Sequence, residues 1–329
     1  MAEPLNATFF ALKKRERSGV LTGIAAAYLV LMIVIIGAFL AMNYQFLGPV
    51  VTWYGQLVSA SARGATPDPS TMQPPAGLGL FFLSIIPFMF VCYLAFAAFE
   101  AACLRWMIRG EVSGFMGLSL GRDTWSVYLC YWIWFFLYIG FSLIVGIISA
   151  VVIAVLMMGS QNGQLGSAFI VGEIVRLVTY IPLVFFAVRL APASAVSVGE
   201  KRVAFFDAWK VTKGRFWELF LSFLTLYVLV VIGEIVIVGA LIAIFFASLW
   251  PTIVNMGNDP TGEQTMAAIG ALFTPENLIA VGVTYVILIA LSLLVYILFY
   301  GINARAVIAA VEDGKIEGVQ TAALAKTFD

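Results

Sequence analysis

The chain has 329 residues, of which 62% are hydrophobic and only 11% are charged, and its formal net charge is zero. Soluble domains carry about 25% charged and about 45–50% apolar residues, so this composition excludes an ordinary soluble domain and predicts a membrane protein with several spanning segments. The chain lacks histidine and its three cysteines show no paired spacing, which argues against zinc, haem and iron–sulfur sites. We therefore expect no cofactor.

Six apolar segments are each long enough to form a transmembrane helix, which takes roughly 20 residues. The basic tail Lys13–Arg17 leads into a first segment that is too long for a signal peptide, so we expect that segment to be retained. A polar loop that starts near Pro49 follows this segment and contains several prolines. We expect these prolines to break any helix there. The predicted helices cover residues 19–47, 78–107, 125–158, 168–190, 216–250 and 275–310.

Basic residues are distributed unevenly between the two sides of these helices. Of the 18 Lys and Arg, only Arg63 lies in the loops after the first, third and fifth helices, and only Arg176 lies well inside a helix. The others lie in the N-terminal tail, in or beside the loops after the second and fourth helices, or toward the C-terminus. Because cytoplasmic loops are enriched in Lys and Arg, we expect both termini in the cytoplasm.

A repeat is suggested by residues that recur 84 positions apart. Arg105, Asp123 and Trp125 are matched by Arg189, Asp207 and Trp209, and the N-terminus shows a weaker third copy. We therefore predict an all-α, polytopic fold of three consecutive transmembrane hairpins in one integral membrane domain, each hairpin preceded by a cytoplasmic amphipathic segment. These segments cover residues 7–18, 111–124 and 201–214. Asp123 and Asp207, at helix starts, are predicted to be N-terminal caps.

The third segment, which we call the basic segment (residues 201–214), interleaves apolar and basic residues in a pattern typical of a helix at a membrane interface. Its functional interpretation is contact with a lipid headgroup or a protein partner. Its simpler interpretation is a helix-start segment whose charge sets topology. The candidate contact residues are Lys201, Arg202, Trp209, Lys210 and Lys213.

Ionisable residues inside the predicted membrane region form a second candidate site. Glu173 and Arg176 are three residues apart on the fourth helix, and Glu234 lies at a similar depth on the fifth. One arginine against two carboxylates leaves a negative charge suited to a cation or proton, whereas the simpler interpretation is an ion pair that joins the two helices. We expect Glu100, near the end of the second helix, to face water or to pair locally.

Three short motifs resemble a group of six-helix bacterial inner-membrane proteins that are similar to the membrane domain of some glycerophosphodiester phosphodiesterases. The motifs are Glu100-Ala101-Ala102-x-x-Arg105, the stretch Gly117–Asp123, and Phe206-Asp207-Ala208-Trp209-x-x-Thr212-Lys213-Gly214-x-Phe216-Trp217. The resemblance implies a bacterial inner membrane. In that family the phosphodiesterase chemistry belongs to a separate soluble domain, so neither catalysis nor site residues are carried over to this chain.

The sequence contains no recognisable nucleotide-binding, hydrolase or metalloprotease motif. We therefore expect a non-catalytic membrane protein that engages membrane lipid, a protein partner or a second copy of itself through its cytoplasmic segments, and we expect no nucleic-acid partner. The alternative is a transporter of a small or amphipathic solute that uses Glu173, Arg176 and Glu234.

Overall fold

The computed structural model describes residues 7–13, 19–62, 73–159, 165–256 and 275–316. These residues are 85% helical and contain no β-strand. Two single 3-10 turns cover Phe10–Leu12 and Phe205–Asp207. The α-helices of the described residues are α1 Val20–Met42, α2 Tyr44–Ala62, α3 Leu78–Arg109, α4 Arg122–Gly159, α5 Leu165–Leu190, α6 Ala193–Gly199, α7 Ala208–Thr212, α8 Phe216–Met256 and α9 Pro275–Glu312.

Six stretches of these helices are long and apolar enough to cross a membrane, which confirms the six predicted helices and the all-α class. The fourth stretch is counted from Leu177, where the described side chains of α5 begin. The six stretches are Val20–Met42, Leu78–Arg109, Arg122–Val155, Leu177–Gly199, Phe216–Ile244 and Ile279–Glu312.

The region after the first transmembrane helix differs from the prediction. The predicted first helix continued to residue 47 and was followed by a loop, but α1 ends at Met42 and a second helix, α2, runs from Tyr44 to Ala62 with Pro49 inside it. Pro49 is the sixth residue of α2, so the helix continues past it although the hydrogen bond to the Gln45 carbonyl is lost. The expectation that Pro49 would break any helix was therefore wrong.

The chain divides into two compact units, of which unit 2 comprises Tyr28–Ala95 and Thr225–Tyr296. Within unit 2, the break between α1 and α2 is fixed by Asn43, which is 3% exposed. Its side-chain amide donates to the Phe39 carbonyl at 2.9 Å and accepts a hydrogen bond from Ser84 of α3 at 2.8 Å. Phe39 also stacks on Phe88 at 4.2 Å between ring centroids. These interactions hold α1 against α3.

Unit 1 comprises Met1–Ala27, Phe96–Leu224 and Ile297–Asp329 and contains most of the fully buried side chains. The C-terminal part of α3, the short helix α6 and the C-terminal part of α9 are almost entirely inaccessible. Small residues allow the close packing, since a Cβ on Gly301 of α9 would lie 2.9 Å from the backbone nitrogen of Ala11 in the first 3-10 turn.

None of the three predicted amphipathic segments forms a long helix of its own in the described residues. Residues 7–18 include one 3-10 turn, residues 111–124 include a bridged turn between Phe115 and Leu118, and the basic segment includes a 3-10 turn followed by the five-residue helix α7. The two better-matched copies of the predicted repeat also differ. After Asp123, α4 continues without a break, whereas α7 ends before Gly214, whose φ of +84° is left-handed.

Candidate functional site

The basic segment is anchored to unit 1 by one buried aromatic side chain. Phe205 is 2% exposed and packs in a cluster with Cys130 of α4 and Leu190 of α5. Its ring meets Trp134 of α4 edge-on, at 6.0 Å between centroids. The neighbouring Phe206 is 68% exposed. The sequence alternation therefore places one phenylalanine in the core and leaves the next on the surface.

An apolar groove of about 510 Å³ lies beside this anchor in unit 1. Helices α4 and α5 form its walls, and the basic segment contributes the two aromatic residues Phe206 and Trp209. Its volume is within the range of about 300–1,000 Å³ that is usual for ligand pockets. The lining side chains are Trp134, Phe136, Leu137, Tyr138, Gly140, Phe141, Ile144, Leu183, Phe186, Leu190, Phe206 and Trp209. Nearly all of this surface is hydrocarbon, so the groove suits an apolar chain.

Acidic neighbours already pair with part of the charge of the basic segment. The Asp207 carboxylate forms ion pairs with Lys210 at 2.6 Å and with Arg202 at 2.8 Å. Arg202 also forms an ion pair with Glu200 at 2.5 Å. Hydrogen bonds from Lys210 and then from Arg202 hold the pKa of Asp207 below its ordinary value, although partial burial opposes them. Lys201 lies 3.8 Å from Glu111.

Asp207 was predicted to cap a helix, and this prediction was wrong. It occupies the position before α7 but makes no capping hydrogen bond with its side chain. Asp123 likewise lies in the first turn of α4 and directs its carboxylate to arginines instead. Both carboxylates instead bind guanidinium or ammonium groups beside them, in ion pairs whose two partners are both charged.

Arg189, at the end of α5, is surrounded by aromatic rings. Its guanidinium carbon lies 5.4 Å from the Phe185 ring, 5.2 Å from the Trp209 ring and 5.4 Å from the Phe216 ring. Nη1 donates to the Thr212 carbonyl at 2.9 Å, while the buried Nε has no hydrogen-bond partner among the described residues. No described carboxylate forms an ion pair with Arg189. Ring faces therefore hold this cation, and among the described residues it has no carboxylate partner.

The corresponding arginine of the predicted repeat, Arg105, is neutralised. It is 4% exposed and lies 3.4 Å from Asp123, and it also donates to the Gly117 carbonyl at 2.8 Å. Arg109, one turn further along α3, approaches Asp123 to 2.5 Å and Glu111 to 3.0 Å. Two arginines thus face two carboxylates, and this cluster ties the loop after α3 to the start of α4.

No protein-family model matches this chain, and comparisons with curated proteins and with solved structures find no match either. The resemblance to the membrane domains associated with glycerophosphodiester phosphodiesterases therefore remains a prediction from motifs. In the structure, Glu100 and Arg105 of the first motif are buried in unit 1, and Trp209 of the last motif lines the groove. The motifs thus coincide with packing and groove residues.

Glu100 differs from its sequence-based expectation, because it is 5% exposed and does not face water. It accepts a hydrogen bond from the Tyr131 hydroxyl of α4. No described basic side chain forms an ion pair with it. Sequence reasoning missed this buried site because Glu100 lies near a predicted helix end, where charge is usually solvated. Its partner Tyr131 is 31 residues further along the chain, on another helix, and leaves no local sequence pattern.

The intramembrane cluster predicted from Glu173, Arg176 and Glu234 stays a prediction. Glu173 and Arg176 lie on α5, but their side chains are outside the described residues. Glu234 lies on α8 with an exposed side chain, and it forms no ion pair with the side chains that the structure describes.

The structure describes all five predicted contact residues of the basic segment. Trp209 lines the groove, and the side chains of Lys201, Arg202, Lys210 and Lys213 are exposed. Sequence reasoning missed Arg189 as part of this site, although its position at the end of α5 and its match to Arg105 could have identified it.

Proposed function

We propose that this protein is a non-catalytic, multi-pass protein of a bacterial inner membrane, with both termini in the cytoplasm, that binds a membrane lipid at its basic segment. The observation that carries the proposal is the apolar groove between α4 and α5, which is completed by Phe206 and Trp209 of that segment. A groove with hydrocarbon walls favours an acyl chain, and the adjoining basic side chains suit a headgroup.

Support for the orientation comes from the distribution of Lys and Arg, which concentrates on the side of the basic segment. With that orientation the groove belongs to the cytoplasmic half of α4 and α5, where anionic lipids of the inner leaflet are present. The motif resemblance to bacterial inner-membrane proteins supports the same location. The lipid role accounts for the exposed aromatic residues and the basic residues of one segment together.

Filling the groove tests this proposal. Gly140 lines the groove, and a Cβ built on it meets no atom within 4 Å, so a larger side chain enters free space. We expect Gly140→Phe to displace lipid that stays bound when the protein is extracted in mild detergent. Native mass spectrometry measures the retained lipid directly.

The matched control is Gly239→Phe on α8, because Gly239 is also a helical glycine with open space around its Cβ and lies outside the groove lining. We expect this variant to keep the lipid of the unmodified protein. If Gly140→Phe retains as much lipid as Gly239→Phe, the groove is not the lipid site and the proposal is wrong.

A further inference from the structure

Arg189 lies at one end of the groove, and no carboxylate of the described residues pairs with it. The inference drawn from this cation rests on the proposed lipid role. Trp209 both lines the groove and stacks against Arg189, and Leu190, the next residue after Arg189, also lines the groove. The guanidinium of Arg189 is therefore adjacent to the apolar lining. An anionic group at this position has a counter-charge at the end of a hydrocarbon surface.

Most other cations near the basic segment are already paired. Arg202 and Lys210 share Asp207, Arg215 binds Asp313 at 2.9 Å, and Lys201 faces Glu111. Lys213 is exposed and forms no ion pair within the described residues. It directly follows Thr212, whose carbonyl accepts the hydrogen bond from Arg189. Arg189 thus bonds to the residue that precedes Lys213, and neither cation has a carboxylate partner in the part of the chain that the structure describes.

The surroundings of Arg189 preserve its ability to bind an anion. Three aromatic ring faces contact the guanidinium without supplying a negative charge. The hydrogen bond from Nη1 to the Thr212 carbonyl fixes the orientation of the guanidinium. Guanidinium groups present N–H donors in a planar fork that matches phosphate oxygens. Arg105, at the matching position of the predicted repeat, differs because Asp123 already pairs with its guanidinium.

We propose that Arg189 and Lys213 bind the phosphate of an anionic phospholipid whose acyl chain occupies the groove between α4 and α5. This assignment differs from the sequence-based set of headgroup contacts. It adds Arg189 and retains Lys213, and it gives Arg202 and Lys210 the role of holding the segment together through Asp207. The site prefers lipids whose headgroup has a net negative charge. In a zwitterionic headgroup, the cation of the headgroup itself already balances the phosphate.

Competition between two lipids in nanodiscs tests this assignment. The discs contain equal amounts of phosphatidylglycerol and phosphatidylcholine with identical acyl chains, and native mass spectrometry measures which lipid stays on the protein after release. We expect the unmodified protein to enrich phosphatidylglycerol and Arg189→Gln to reduce that enrichment about fivefold, which corresponds to the loss of one basic contact at a membrane surface. Added salt should reduce the enrichment by the unmodified protein, because it screens the exposed charges.

The matched control is Arg305→Gln, which removes an arginine of unit 1 that is paired with Glu312 and outside the groove lining. It should keep the enrichment. Lys213→Gln is the second test variant, because the exposed Lys213 side chain has no packing role. We expect this variant to show less enrichment of phosphatidylglycerol, and it provides the test even if Arg189→Gln fails to fold.

The outcomes separate this inference from the proposed function. Lipid retention without preference for phosphatidylglycerol, or equal enrichment by the unmodified protein, Arg189→Gln and Lys213→Gln, overturns the headgroup assignment and leaves the lipid role standing. Absence of retained lipid on the unmodified protein overturns both. Equal loss in Arg305→Gln shows a general effect of surface charge and also overturns the assignment.

Discussion

The buried carboxylate of Glu100 accepts a hydrogen bond from the Tyr131 hydroxyl of α4. A polar group that is buried without a partner costs about 1–3 kcal/mol. The hydrogen bond between Glu100 and Tyr131 joins two long helices. Removal of the single Tyr131 oxygen atom should therefore lower the stability of the protein.

Tyr131→Phe removes that hydroxyl and keeps the ring. We expect it to lower the free energy of unfolding by about 1–3 kcal/mol, because the Glu100 carboxylate stays buried and loses this hydrogen bond. Thermal unfolding in detergent checks this, with Tyr227→Phe as the control because Tyr227 is 66% exposed. In the double variant Tyr131→Phe with Glu100→Gln, the loss of stability should be smaller than the sum of the losses in the two single variants. Equal stability of Tyr131→Phe and Tyr227→Phe would show that the hydroxyl does not support Glu100.

At the scale of single elements, the sequence predicted helices well and their partners poorly. An uncharged apolar run such as residues 125–158 has only one stable structure in hydrocarbon, because every backbone N–H must be bonded within the segment. The same composition hides which face packs against protein, since lipid-facing and protein-facing side chains are both apolar. The groove, Glu100 and the arrangement around Arg189 arise from packing between distant elements and could not be derived from spacing.

The position of the loop after α3 depends on one glycine, Gly117. Gly117 has a φ of +96°, its carbonyl binds Arg105, and a Cβ on it would lie 2.8 Å from Ile24 of α1. Another side chain at this position must both adopt a left-handed backbone and push away a buried isoleucine. The loop, α1 and α3 are thus held in one arrangement within unit 1.

We expect Gly117→Ala to destabilise the protein more than Gly214→Ala. Both positions have left-handed backbones, with a cost of about 1–2 kcal/mol for a side chain, but Gly214 has open space around its Cβ. The Ile24 contact adds about 1–3 kcal/mol of overpacking at Gly117. Thermal unfolding of the two variants side by side measures the difference. Similar melting temperatures would mean that the loop moves away from α1 at little cost.

At the scale of the whole molecule, six spanning segments place every second loop on the same side of the membrane. The proposed lipid site needs the loop after α3 and the basic segment on the cytoplasmic side, because the anionic lipid is drawn from that leaflet. The charge distribution favours this orientation, since 16 of the 18 basic residues are at or near that side or the termini. Orientation is thus a condition of the proposed function and can be tested without any lipid.

Cysteine labelling in cells gives that test. In a background with Cys92, Cys103 and Cys130 replaced by alanine, single Ser70→Cys and Ser160→Cys substitutions lie in the loops after the first and third predicted helices, and Ser113→Cys lies in the loop after α3. A maleimide that cannot cross the inner membrane should label the first two in cells with a permeable outer membrane. It should label the third only after the inner membrane is opened with detergent, because the basic loops stay inside. Labelling of Ser113→Cys in intact cells, with protection of the other two, would reverse the orientation and place the groove and Arg189 in the outer leaflet, where the proposed selection of inner-leaflet anionic lipid could not operate.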